Sequence, residues 1–213
     1  MTSYSLPSDF LQHLILDQVI ATVRYTDAER EQFRQQVLSQ MNYQNWLQQQ
    51  GVTAEEFETW ITREFAIRQF QQQRWGKRLG SYFLERKRQL DQVICSLIYL
   101  RDRDAARELY FRIVEGEQSF AEVARLYSQG AEAQAGGRLG PIALGELHPA
   151  LQRRFYGGRP GQLWEPMPVG EWTVIARLDQ WLPVQLDDTL RQTLLNELLD
   201  QWLQHQIKQQ FPS

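Results

Sequence analysis

The chain has 213 residues, of which 42% are hydrophobic, and this is enough to build a core in one large domain or two small ones. The formal net charge of −3 argues against a nucleic-acid partner, which would need a basic surface to meet phosphates. No run of about 20 apolar residues occurs, so we expect no membrane insertion. The single cysteine, Cys95, excludes an internal disulfide, and the first residues lack the pattern of a secretory signal. These features predict a cytoplasmic protein.

The first part of the chain has a helical pattern of apolar residues as far as about Arg88. Thr26 with Glu29, and Thr53 with Glu56, have the spacing of a capping box and predict two helix starts. A bend is expected near Trp75, before a further helix.

At Asp91 the pattern changes to one typical of an α+β domain. A β-rich run covers 93–100, and two further strands are predicted at 138–143 and 172–181. Helices are predicted at 104–115, 119–127 and about 149–155, and 157–170 is predicted to be a loop rich in proline and glycine.

A long final helix is predicted from Asp187 to about Gln210, and its apolar side resembles those of the first helices. We therefore expect it to pack on them. The predicted organisation is an N-terminal helical domain at 1–90, an α+β domain at 91–183, and a C-terminal helix at 184–213 that completes the helical domain.

The segment GAEAQAGGRLGP, residues 130–141, is rich in glycine. A phosphate-binding loop would follow a strand, precede a helix and usually supply a lysine, whereas this segment follows a predicted helix, leads into a strand and has no lysine. We expect Gly136 and Gly137 to be architectural, because glycine allows a positive φ or a close backbone approach.

Several phrases in this half of the chain resemble the parvulin (PpiC-type rotamase) family of peptidyl-prolyl isomerases. They are, in order, VICSLIYL, GEQSFAEVARLYS, GGRLG, LHPALQRRF and RPGQLWEPMPVGEWTVIARL. The resemblance implies an antiparallel four-stranded sheet with helices and prolyl isomerase activity. The helical flanks look like those of bacterial chaperones of the SurA type, which implies proline-containing or unfolded polypeptides as clients.

The resemblance also implies a site, in which the usual polar residues are substituted. Parvulins typically have a histidine in the first strand, a cysteine or aspartate after the YS helix, and a second histidine in the last strand. Here Leu97, Gly130 and Thr173 occupy those positions, and His13, His148 and His205 lie elsewhere. The residues that fall on positions holding the proline ring in the family are Leu139, Leu147, Leu151 and Phe155, which could equally be ordinary core.

Other chemistry is not expected. Cys95 lies in an apolar strand and is interpreted as a buried structural thiol. No Cys/His cluster suggests a metal, and no cofactor is predicted.

Two functions remain open from the sequence. The first is a working isomerase that relies on its apolar pocket. The second is a catalytically inactive peptide-binding chaperone, or an accessory factor for peptide export. The helical domain could hold clients if Trp46, Phe57, Trp60 and Phe65 are exposed, or it could only mediate homodimerisation.

Overall fold

The computed structural model describes residues 7–210, apart from the side chain of Ser8. It divides into two compact units. One contains the chain up to Ser81 together with the chain from Leu186 onward, and the other is Tyr82–Gln185. The described helices are α1 Ser8–Ile20, α2 Asp27–Ser39, α3 Tyr43–Gln50, α4 Ala54–Trp75, α5 Leu79–Leu90, α6 Arg103–Val114, α7 Phe120–Tyr127, α8 Pro149–Tyr156 and α9 Asp188–Gln210. The described strands are β1 Gln92–Leu100, β2 Arg138–Ala143, β3 Leu163–Val169 and β4 Trp172–Leu182.

Helix starts follow from local chemistry, as the capping spacing predicted. The Thr26 hydroxyl accepts the Glu29 amide at the start of α2, and Thr53 does the same with Glu56 at the start of α4. In each case the glutamate carboxylate accepts the threonine amide in return, at 2.7 Å. These hydrogen bonds lower the pKa of both glutamates. Both predicted capping boxes are confirmed.

The helical unit is closed by the final helix. Leu194, Leu195, Leu199 and Leu203 of α9 are buried, and the helix packs on α1 and α4. The Trp202 ring lies 5.3 Å from the ring of Phe70, centroid to centroid. The expectation that the last helix packs back on the first ones is confirmed, and the burial of these leucines is the main physical reason.

The second unit is built on a four-stranded antiparallel sheet with strand order β2-β1-β4-β3. Each face of the sheet has its own core, because side chains alternate between the two faces. On one face α6 and α7 cover a cluster that includes Ile98, Leu100 and Ile175. On the other face α8 covers what we call the pocket cluster, with buried members Val93, Cys95, Leu97, Leu144, Leu147, Leu151, Phe155, Trp164, Met167, Val169, Val174, Ala176 and Leu178. This is the predicted α+β fold.

The predicted loop at 157–170 is wrong, because β3 lies within it. Pro166 and Pro168 suggested a loop, since proline cannot donate a ladder hydrogen bond. β3 is an edge strand of the sheet and pairs only with β4, with a register irregularity between Trp164 and Met167. An edge strand with an irregularity tolerates both prolines, and only the tertiary arrangement reveals that it is an edge.

Candidate functional site

The four apolar residues implied by the resemblance lie on one face of the sheet. Leu139 is on β2, Leu147 precedes α8, and Leu151 and Phe155 are on α8. Leu151 and Phe155 are fully buried, Leu147 is 7% exposed, and Leu139 is only partly buried. All four pack in or against the pocket cluster. Leu151 and Phe155 are therefore core residues, and Leu139 is the member most available for contact with a ligand.

The structure separates the three positions at which the family's polar residues are substituted. Leu97 is buried in the pocket cluster, and its partner across the sheet is Ala176 of the same cluster. Thr173 pairs with Leu100, whose side chain belongs to the opposite face. Strand alternation thus places Leu97 on the pocket face and Thr173 on the other.

Gly130 lies in the loop that follows α7, beside the strand β1. The neighbouring Gln129 amide donates to the carbonyl oxygen of Tyr99 at 2.9 Å. The Tyr99 amide donates to the hydroxyl of Ser128 at 3.0 Å. Gly130 therefore directly follows a residue that is hydrogen-bonded to Tyr99 of β1.

Gly136 and Gly137 of the glycine-rich segment 130–141 allow this loop to approach β1 closely. Gly136 and Gly137 have φ values of 67° and 83°, in the left-handed region that favours glycine. The Leu97 amide donates to the Gly137 carbonyl oxygen at 2.9 Å, and a Cβ on Gly137 would lie 2.6 Å from the carbonyl oxygen of Leu97. Gly137 is thus required by the close approach of two backbones.

Three polar residues that the sequence analysis did not identify, Tyr99, Ser128 and Glu132, are linked in the structure by hydrogen bonds. Tyr99 lies two residues beyond Leu97 and packs against the pocket cluster, with its ring 6.3 Å from that of Trp172. The Ser128 hydroxyl accepts a hydrogen bond from the Tyr99 amide and donates one to the Glu132 carboxylate at 2.8 Å. Alternation along β1 could have indicated Tyr99, whereas nothing in the sequence pattern points to Glu132.

Cys95 is a buried structural thiol, as expected. It is fully buried in β1, and burial, with a smaller contribution from the charge of Asp179, raises the pKa of Cys95 to about 12. At neutral pH the thiolate is therefore negligible, and Cys95 is not a nucleophile.

Of the histidines, His148 caps α8 by accepting the Ala150 amide at 3.2 Å, and His13 bonds the Asp9 carbonyl oxygen within α1. Between residues 7 and 210, no group of three or more His, Cys, Asp or Glu side chains is arranged to hold a metal ion. None of the helices described is both long and apolar enough to cross a membrane.

Part of the second unit matches a known protein family. Residues 101–180 match the family model of the rotamase PPIC-type PPIase domain. The matched residues include Gly130, Leu139, Leu147 and Thr173, whereas β1 with Leu97 lies just outside them. The chain is also 43% identical over 56 residues to the chaperone SurA of Cupriavidus pinatubonensis, a match that covers 26% of this chain and 11% of that chaperone.

Solved structures with helical flanks are also similar to this chain. The peptidylprolyl isomerase PrsA of Bacillus anthracis is 21% identical, with a TM-score of 0.48 over 94% of this chain and 97% of that one. A SurA-like chaperone of Campylobacter jejuni is 13% identical, with a TM-score of 0.41 over 99% of this chain and 93% of that one.

Proposed function

Because residues 101–180 match the family model of the PPIC-type rotamase domain, we propose that this chain is a peptidyl-prolyl cis-trans isomerase that acts as a foldase on proline-containing or unfolded polypeptides. One observation carries the proposal. Within the matched segment, Leu139 is only partly buried and packs against the cluster that contains the fully buried Leu151 and Phe155. This arrangement suits the ring of a proline, which is apolar and has no donor of its own.

Prolyl isomerisation breaks no covalent bond, so the protein has only to bind the twisted amide more tightly than the planar one. The uncatalysed step takes tens to hundreds of seconds. An acceleration of ~10⁴ needs about 5.5 kcal/mol of preferential binding, at 1.36 kcal/mol per tenfold. An apolar pocket contributes because the planar amide has more charge separation than the twisted one and loses more solvation there.

The positions 97, 130 and 173 supply no imidazole, thiol or carboxylate of their own. Fixed polar groups normally contribute a large part of catalytic stabilisation. We therefore expect acceleration weaker than that of a parvulin with the full polar set, and we assign the proline ring to Leu139, with Leu147, Leu151 and Phe155 beneath it.

The experiment is prolyl cis/trans exchange, measured by NMR without a protease, on a panel of X-Pro peptides. We expect proline-dependent acceleration by the intact chain, and a loss of at least about tenfold in the Leu139→Ala variant, because the contact with the ring is removed. Leu126→Ala is the matched control, since Leu126 of α7 is 66% exposed and outside the pocket cluster. Equal rates in wild type and Leu139→Ala would contradict the assigned pocket.

The alternative is a catalytically inactive peptide-binding chaperone, or an accessory factor for peptide export. The residues at positions 97, 130 and 173 favour it. Chemical-shift changes in the same peptides without acceleration of exchange would support this alternative and reject the isomerase.

We propose the predicted domain division, with 1–90 and 184–213 acting together as a client-holding module and 91–183 as the isomerase module. The aromatic residues considered for a client surface are not equally available. Phe57 and Phe65 are buried in the helical core, whereas Trp60 is 43% exposed and lies 5.7 Å from Trp46, centroid to centroid. The client surface is therefore proposed at Trp46 and Trp60.

The compartment and assembly are proposals as well. We propose that the protein works in the cytoplasm, where it handles polypeptides before an export system receives them, and that it forms a homodimer. The single unpaired cysteine is compatible with a reducing compartment. Cell fractionation and sedimentation velocity test these points, and an extracytoplasmic monomer would reject both.

A further inference from the structure

The pocket cluster consists of buried hydrophobic residues, and Tyr99 is one of the partly buried residues that pack against it. Among the described residues of the cluster and those packed against it, Tyr99 alone carries a hydroxyl group. Its neighbour on the same face is Leu97, two residues earlier on β1. Tyr99 is therefore the hydroxyl donor that these hydrophobic residues can offer to a bound peptide.

Glu132 occupies the space that a side chain at position 130 would take. A Cβ built on Gly130 would lie 2.6 Å from Cδ of Glu132, so the missing side chain leaves room for the carboxylate. The Ser128 hydroxyl donates to this carboxylate at 2.8 Å, and the same hydroxyl oxygen accepts the Gly130 amide at 3.4 Å and the Tyr99 amide at 3.0 Å. Ser128 thus links the Glu132 carboxylate to β1 at Tyr99.

Burial and the nearby carboxylate both change the pKa of the Tyr99 phenol. Burial is the main cause that raises the pKa of Tyr99, and the charge of Glu132 raises it further. The Trp172 indole, whose ring lies 6.3 Å from the Tyr99 ring, does not titrate in this range, and the charged Arg101 guanidinium lies 5.0 Å from the Trp172 ring. The phenol is therefore protonated at neutral pH and well into the alkaline range, and it can act as a hydrogen-bond donor.

We propose that Tyr99 is a catalytic residue of this site, whose hydroxyl donates a hydrogen bond to the prolyl nitrogen of the bound peptide, and that Glu132 is its positioning residue. The inference rests on the proposed isomerase function. When the amide twists, its nitrogen lone pair is no longer delocalised into the carbonyl, so the nitrogen becomes a better acceptor. A donor at this nitrogen stabilises the twisted amide more than the planar one, which is the condition for catalysis.

The test is Tyr99→Phe in the intact chain, which removes one oxygen atom and keeps the ring. At saturating peptide we expect exchange to be at least about tenfold slower. The peptide dissociation constant should change less than twofold, because the hydrogen bond to the prolyl nitrogen stabilises the twisted amide more than the planar one. Tyr110→Phe is the matched control. Tyr110 packs against the cluster on the opposite face of the sheet, so its phenol is not available to the pocket.

Glu132→Gln is expected to change the pH dependence of activity, which a purely structural role of Glu132 would leave unchanged. Removing the carboxylate charge lowers the pKa of Tyr99 toward its ordinary value, so the alkaline loss of activity should begin at a lower pH than in wild type. An unchanged alkaline limb would reject Glu132 as the positioning residue.

The outcomes distinguish failure of the proposed role of Tyr99 from failure of the proposed isomerase function. If wild type accelerates exchange and Tyr99→Phe is equally fast, the role of Tyr99 is rejected and the isomerase stands. If wild type accelerates no peptide in the panel, the proposed function fails and the role of Tyr99 fails with it.

Discussion

Replacing Gly137 with alanine is expected to destabilise the Tyr82–Gln185 unit by about 3 kcal/mol. Two costs add. A φ of 83° is strained for a residue with a Cβ, and that Cβ would lie 2.6 Å from the Leu97 carbonyl oxygen. Because the obstructing atom belongs to the backbone of β1, it cannot move away without disturbing the sheet. Chemical denaturation of the purified variant measures the change in the free energy of unfolding.

Gly116→Ala is the matched control for this prediction. Gly116 lies in the same unit with a φ of 76°, but nothing lies within 4 Å of a Cβ built on it. It should therefore show only the conformational cost, about 1 kcal/mol. If the two variants lose the same stability, the close approach of Gly137 to Leu97 does not matter and the architectural role of the glycine pair is wrong.

Replacing Phe57 with alanine is expected to destabilise the helical unit by about 3–5 kcal/mol, the range for a large aromatic residue removed from a core. Phe57 is fully buried, and its ring lies 4.9 Å from Tyr43 and 5.5 Å from Trp46, centroid to centroid. Truncation leaves a cavity among rings that cannot collapse into it. Loss of helical circular dichroism during urea denaturation reports the effect.

Trp60→Ala is the informative partner variant. Trp60 lies on the same helix, 5.8 Å from Phe57, but it is 43% exposed, so we expect a much smaller loss of stability. We do expect weaker suppression of aggregation of an unfolded client, because the exposed indole belongs to the proposed client surface. A Trp60→Ala chain that holds clients as well as wild type would reject that surface.

Local signals in the sequence predicted much of the fold correctly. The capping boxes at Thr26 and Thr53 placed two helix starts because both partners lie within one turn of the chain. The phrases from GEQSFAEVARLYS to GEWTVIARL indicated the parvulin resemblance, which the family match over 101–180 supports. The failure at β3 has a physical cause, since Pro166 and Pro168 are acceptable only on an edge strand and edge position is not a local property.

For the candidate site, too, the sequence indicated which residues to consider, but not which face of the sheet they occupy or how deeply they are buried. The family resemblance placed Leu97, Gly130 and Thr173 at the three positions where relatives have polar residues, but sheet pairing places Thr173 on the face opposite Leu97. The resemblance also placed both Leu139 and Phe155 at the proline ring, whereas burial makes Leu139 a candidate contact and Phe155 a core residue.

By itself, the sequence determined the helix starts, the α+β character of the middle of the chain and its family resemblance, because these depend on residues close together along the chain. Only the tertiary structure decided that β3 is an edge strand, that Tyr99 shares the pocket face with Leu97, and that Glu132 lies where Gly130 has no side chain. Each of these depends on which distant segments pair and on how much space their side chains leave. Such distances are set by the packing of the whole unit rather than by local spacing.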